Sequence, residues 1–154
     1  MERDKNILDK LGSLIPGYCG YAERNGRRQC DRILRDQISS KIFACEKSIT
    51  RNISDTILKG NSVSLEDIEK CRKRLNTIGS KIKYAPYGES AFFSGSQIKE
   101  DELLEIYRKD LHIMETVTKL QRMIQDIDSI DLLSFIDGIE SELENRNQYI
   151  REFK

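Results

Sequence analysis

Six apolar residues, Leu65, Ile68, Cys71, Leu75, Ile78 and Ile82, follow one another at steps of 3, 3, 4, 3 and 4. At about 3.6 residues per turn those steps hold every side chain on one helical stripe, whereas a strand would need an apolar residue at every second position. Such a stripe needs a facing surface, supplied by the same chain, by a second copy or by another protein.

The pattern recurs along the chain. Cys30, Ile33, Leu34, Ile38, Ile42, Cys45, Ile49, Ile53 and Ile57 predict a helix over about 21–59, a rod roughly 58 Å long. Most of its steps are 4, so the stripe drifts around the helix as in bundle packing rather than keeping a two-stranded seam. Gly26 costs up to about 1 kcal/mol in a helix interior, which favours a start nearer Arg27. Gly60-Asn61 reads as a stop, and Ser64 with Asp67 approximates a capping box. The helix it opens runs to about Lys83, antiparallel to the first.

Acidic Glu100, Asp101 and Glu102 suit the start of a further helix, with stripe Leu103, Tyr107, Leu111, Met114, Val117 or Thr118, Leu120 or Gln121, and Ile124. Asp126-Ile127-Asp128-Ser129 caps or bends into a last one, with stripe Leu132 or Leu133, Ile136, Ile139, Leu143, Arg146 or Asn147, and Ile150. At the other end, Ile7, Leu8, Leu11, Leu14 and Ile15 form a short amphipathic helix before Pro16-Gly17, expected to fold back over the bundle end. Charged residues at 34%, aromatics at 7% and only 2 Pro suit solvated helices better than a sandwich or barrel. The expected fold is all-α, an elongated antiparallel three- or four-helix bundle with a short N-terminal helix. It is read as a single domain over 1–154: amphipathic helix 1–15, basic helical hairpin 21–83, aromatic loop 84–97 and acidic helices 98–154.

The net charge of zero conceals a partition. Residues 1–83 hold 18 Lys and Arg against 11 Asp and Glu, and residues 84–154 hold 8 against 15. Packing of the two halves neutralises these fields, and long-range attraction can guide that docking. Arg24, Arg27, Arg28, Arg32 and Arg35 are the densest local charge, five guanidinium groups within twelve residues. Guanidinium binds carboxylate or phosphate in bidentate fashion, so these groups suit the acidic helices or an anionic partner.

Two segments break the helical rhythm. Pro16-Gly17-Tyr18-Cys19-Gly20-Tyr21 predicts a turn that brings two tyrosines together. Residues 84–97 carry Pro86, Gly88 and Gly95 with Tyr84, Tyr87, Phe92 and Phe93, too many rings for a slack connection. The rings either plug an end of the bundle or meet a partner.

No catalytic set is legible. His112 is the sole histidine, and no phosphate-cradling glycine loop, Gly-x-Ser-x-Gly or Cys/His pair is present. Cys19, Cys30, Cys45 and Cys71 lack the Cys-x-x-Cys spacing of a zinc or redox site, and at least Cys45 and Cys71 sit on apolar stripes as reduced core thiols. No catalytic residue, cofactor or metal is expected. Residues 1–10 are too charged for a secretory signal, and no apolar run approaches the ~20 residues that cross a bilayer, so a cytoplasmic location is expected.

Pro16-Gly17-Tyr18-x-Gly20-Tyr21, Arg27-Arg28, Asp31 and Leu34-Arg35, with Ala85-x-Tyr87-Gly88 through Phe93, Leu103, Tyr107 and Asp110-Leu111, resemble a family of small helical proteins of bacteria and archaea that has no established activity. The resemblance implies a helical fold. Where the family pattern reads Tyr-Gly-Tyr-Ala-Gly-Leu-Phe-Asp, this chain reads Tyr87-Gly88-Glu89-Ser90-Ala91-Phe92-Phe93-Ser94.

The functional expectation is a non-enzymatic helical interaction or scaffold protein that meets a protein partner or a second copy. Its candidate contact residues are Tyr18, Tyr21, Arg24, Arg27, Arg28, Arg32, Arg35, Tyr87, Phe92 and Phe93. The alternative is an accessory factor whose basic half binds anionic membrane or nucleic acid; neither a helix-turn-helix nor an RNA-binding sheet motif accompanies the arginines.

Overall fold

Residues 2–59, 65–85, 90–125 and 132–153 are described in a computed structural model of the chain. They form α1 (Glu2–Leu14), a 3-10 turn at Arg24–Gly26, α2 (Arg27–Lys59), α3 (Leu65–Tyr84), α4 (Glu100–Gln125) and α5 (Leu132–Arg151), with no strand among them. The all-α expectation holds. Gly26 lies in the 3-10 turn, so α2 begins at Arg27 and the rod is shorter than the 21–59 reading. At the start of α4, Glu102 accepts a bond from the Lys99 backbone N–H at 3.1 Å, the reach-back half of a capping box. The Ser64 cap, the Gly60-Asn61 stop, the Asp126-Ile127-Asp128-Ser129 bend and Tyr87 lie outside the described residues.

Side-chain pairs between the helices fix their directions. Glu46 meets Arg72 and Asn76 while Arg35 bonds Ala85, so α2 and α3 run antiparallel. Glu102 meets Tyr149 while Asp110 meets Arg146, so α4 and α5 do likewise. Helix α2 packs on α3 and α4, α5 packs on α4 and α3, and α1 lies against α4. The four long helices therefore close a ring in the order α2, α3, α5, α4, with α3 and α4 on a diagonal. The residues that lead into α4 accordingly bring Phe92 to the end of the bundle, against Tyr21 and Phe153.

Burial follows the predicted stripes and resolves their ambiguities. Leu34, Ile38, Ile42, Leu75, Ile113, Met114, Val117, Leu120, Ile136 and Ile139 are each no more than 1% exposed. Leu65, the first rung of the α3 ladder, is 49% exposed. Leu132 is buried and Leu133 is not. Two stripe positions hold charge: Asp110 is buried in place of the partly exposed Leu111, and Arg146 rather than Asn147 faces inward. Leu11 of α1 and Ile15 just after it are completely buried, so the helix packs its apolar side on the bundle, while Leu14 stays exposed. No helix among the described residues is long and apolar enough to cross a membrane.

Ion pairs join the two charged halves at Arg74 with Asp137 and Glu140, and at Lys81 with Glu140. Among the described residues, Arg32 and Arg35 form ion pairs within α2, with Asp36 and Asp31, and Arg27 donates to backbone carbonyls rather than to the acidic helices.

All four cysteines are free thiols, with Cys19 exposed and the others buried. Burial pushes the Cys30 thiol up to about 12 and the Cys45 thiol up to about 11. A buried thiol that keeps its proton is a poor nucleophile. Brief iodoacetamide treatment of the native protein should therefore modify Cys19 alone, and all four positions should react in denaturant, as read by peptide mass spectrometry.

Candidate functional site

The Pro16-Gly17 turn ends α1 and swings Tyr18 and Tyr21 under the start of α4. Gly20 makes this approach possible: its φ is 86°, and a Cβ there would stand 2.5 Å from the Tyr107 hydroxyl oxygen. That hydroxyl accepts the Tyr21 backbone N–H at 2.9 Å. A Gly20→Ala substitution adds both the clash and the left-handed backbone cost, with an expected loss of about 2–3 kcal/mol measurable by urea unfolding.

Behind this turn lies a polar knot in the interior. Tyr18 and Tyr21 donate their hydroxyls to Asp110 Oδ2 at 2.7 and 2.6 Å. Arg146 Nε donates to Asp110 Oδ1 at 2.5 Å, while Arg146 Nη2 donates to Asp31 Oδ1 at 2.7 Å and to the Tyr21 hydroxyl at 2.9 Å. Asp31 Oδ2 holds Arg35 Nε at 3.1 Å. Asp110 is 0% exposed and Arg146 2%, so each charge relies on the other for what water would supply. Helices α2 and α5 are diagonal in the bundle, and the long Arg146 side chain spans that diagonal. A short polar residue in its place could not reach both carboxylates.

Arg27 forms a second buried anchor. It is 2% exposed, and it donates to the carbonyls of Tyr21, Phe92 and Ser96 at 2.8, 3.2 and 2.7 Å. One guanidinium thus ties the tyrosine turn to the residues that lead into α4. Phe92 is fully buried between Tyr21, Phe93 and Phe153, with ring centroids 5.1, 5.1 and 5.7 Å away.

Burial, with the neighbouring Asp110 carboxylate, holds the Tyr18 and Tyr21 phenols well above the ordinary value of 10, and burial raises Tyr107 as well. The folded chain therefore keeps protons that the unfolded chain releases above pH 10. The stabilisation is complete below that pH and falls as pH rises, by about 1.4 kcal/mol per pH unit for each buried phenol. Phenolate absorbance of Tyr18 and Tyr21 should appear only together with unfolding.

Of the residues expected to meet a partner, Tyr18, Tyr21, Arg27 and Phe92 are internal, so their side chains offer no outer surface. Phe93 is half-buried with Arg28 stacked 5.4 Å over its ring, and Arg35 is partly buried. Arg24, Arg28 and Arg32 are exposed. His112 is on the surface, 2.9 Å from Glu142, and takes no part in the knot's hydrogen bonds among the described residues.

Three residues had no assigned site role from the sequence: Asp31, Asp110 and Arg146. Opposite charges on the buried sides of three different helices were the available signal. A cavity of about 180 Å³ lies between α2, α3 and α5, beside Arg146, where the sequence offered no pocket.

No protein-family model matches the chain, and neither a curated protein nor a solved structure matches it.

Proposed function

We propose that this chain is a non-enzymatic interaction protein that uses one basic, aromatic face to hold an acidic segment of a partner protein. The observation that carries the reading is a shallow depression of about 310 Å³ where Arg32 of α2 faces Lys83 and Tyr84 at the end of α3. Tyr84 is 72% exposed, the largest exposure among the described large apolar residues. Arg28 and Arg32 line an adjoining hollow on the outer side of α2. Arg and Tyr dominate binding energy at protein interfaces, because the first forks around carboxylates and the second buries area at small entropic cost. Asp36, 3.9 Å from Arg32, interrupts the positive field, which suits a discrete carboxylate better than a continuous phosphate backbone.

The internal network supports the non-enzymatic part of the reading. Both Asp110 oxygens are taken by Tyr18, Tyr21 and Arg146, which leaves the carboxylate engaged rather than poised beside a substrate. The same reading places the chain in the cytoplasm, where Cys30, Cys45 and Cys71 stay reduced.

The test compares three probes at low salt: a glutamate-rich peptide containing one leucine, vesicles containing phosphatidylserine, and a duplex oligonucleotide. The expected result is saturable peptide binding that weakens about tenfold or more in R32E with Lys83→Glu. Preferential binding to vesicles or oligonucleotide would transfer the face to the anionic-surface alternative, and binding to none of the three removes both readings.

A further inference from the structure

We propose that the cavity between α2, α3 and α5 binds a small, uncharged, ring-sized apolar molecule bearing one acceptor oxygen, held by Arg146 Nη1. The site is separate from the basic face, and its occupant is defined by three independent features.

The first is size and lining. Ile38, Ile78, Ile82 and Leu143 make the walls of a space of about 180 Å³. An apolar cavity of about 150 Å³ is enough to admit benzene, so a six-membered ring with one substituent atom fits, and a fused-ring system does not.

The second is an unspent donor. Arginine carries five N–H groups in a planar fork. The Nε and Nη2 protons of Arg146 go to Asp110, Asp31 and the Tyr21 hydroxyl. No hydrogen bond to Nη1 occurs among the described residues, although Arg146 is only 2% exposed and lines the cavity. Because the occupied groups share one edge of the fork, Nη1 is directed away from the two carboxylates. A donor that the protein leaves unpaired at the cavity can be met by an acceptor that a ligand carries.

The third is charge. Arg35, Lys81 and Arg146 border the space and suggest an anion at first sight. Each is already matched: Arg35 and Arg146 by Asp31 and Asp110, and Lys81 by Glu140, 3.4 Å away. Glu144 also borders the cavity, and it pairs with Arg151 at 2.7 Å. A carboxylate ligand would enter a neutral network and leave an uncompensated negative charge there, whereas a ketone or amide oxygen accepts from Nη1 and adds none.

Methyl-resolved NMR titration of the full chain tests this with cyclohexanone, methylenecyclohexane and cyclohexanecarboxylate. Cyclohexanone is expected to shift the Ile38, Ile78 and Leu143 methyl signals saturably. Methylenecyclohexane has the same shape without the oxygen, and it should bind about tenfold more weakly, the worth of one hydrogen bond to a charged donor. The carboxylate should bind more weakly than the ketone. Ala85→Leu at the cavity mouth, or Ile78→Phe in its wall, should abolish the shifts in whichever variant retains the native melting transition. Absence of saturable shifts in the wild-type chain, equal affinity for the ketone and the hydrocarbon, tighter binding of the carboxylate, or unchanged binding in a folded blocked variant would each overturn the proposal.

Discussion

Replacement of Arg146 by Met should remove about 3–5 kcal/mol of folding stability, a large share of what a domain of this size possesses. Methionine fills similar space and is at home in a helix, so neither packing nor propensity accounts for such a loss. The cause is electrostatic: the substitution strips Asp110 and Asp31 of a shared partner while both remain inside. Arg74→Met provides the contrast. Its two ion pairs, with Asp137 and Glu140, involve side chains 29–53% exposed, and water replaces them at a cost of less than about 1 kcal/mol. Chemical denaturation of both variants reads the difference directly. Similar small losses would mean that the buried guanidinium contributes no more than a surface one.

Phe92→Ala should be comparably severe, at about 3–5 kcal/mol. The ring is 0% exposed at the bundle end, held edge-on against Tyr21, Phe93 and Phe153, and Arg27 clamps the carbonyl of Phe92 itself and that of Ser96, four residues further on. Truncation leaves a void that this clamp prevents from collapsing. Phe93→Ala removes a half-buried ring and should cost about 1 kcal/mol. Denaturation midpoints rank the two, and limited proteolysis between residues 90 and 99 should accelerate much more in Phe92→Ala. Equal sensitivity of the two positions would argue against a plug at the bundle end.

The helices were legible because their cause is local. Apolar residues at steps of 3 and 4 make a stripe irrespective of what covers it, and Leu75, Ile78, Met114 and Ile139 are inside as the spacing requires. The turn was also legible, since Pro16 and Gly20 act through their own backbone angles. What the stripes could not supply was the identity of the buried polar partners. Arg146 and Asn147 are equivalent choices on a helical wheel. The preference for Arg146 comes from Asp110 and Asp31, 36 and 115 residues away in sequence. Tyr18, Tyr21 and Phe92 were visible as unusual rings, yet nothing local distinguishes a ring that faces a partner from one that faces the core. Their role became clear only with the packing of the helices, which brings Phe92 to the bundle end against Tyr21 and Phe153. The arginine run illustrates the same division: Arg27 is internal and Arg28, its neighbour, is exposed, because adjacent residues on a helix point about 100° apart.

The central claim is that Asp110 and Arg146, buried together, depend on one another and fasten α4 to α5 within the four-helix bundle. A double-mutant cycle with Asp110→Asn and Arg146→Met, followed by urea unfolding, tests it most directly. The account predicts a coupling energy of about 2 kcal/mol, with the double variant more stable than the sum of the two single losses implies. Additivity within about 0.5 kcal/mol would contradict it, because the two charges would then be independent of one another in the folded chain.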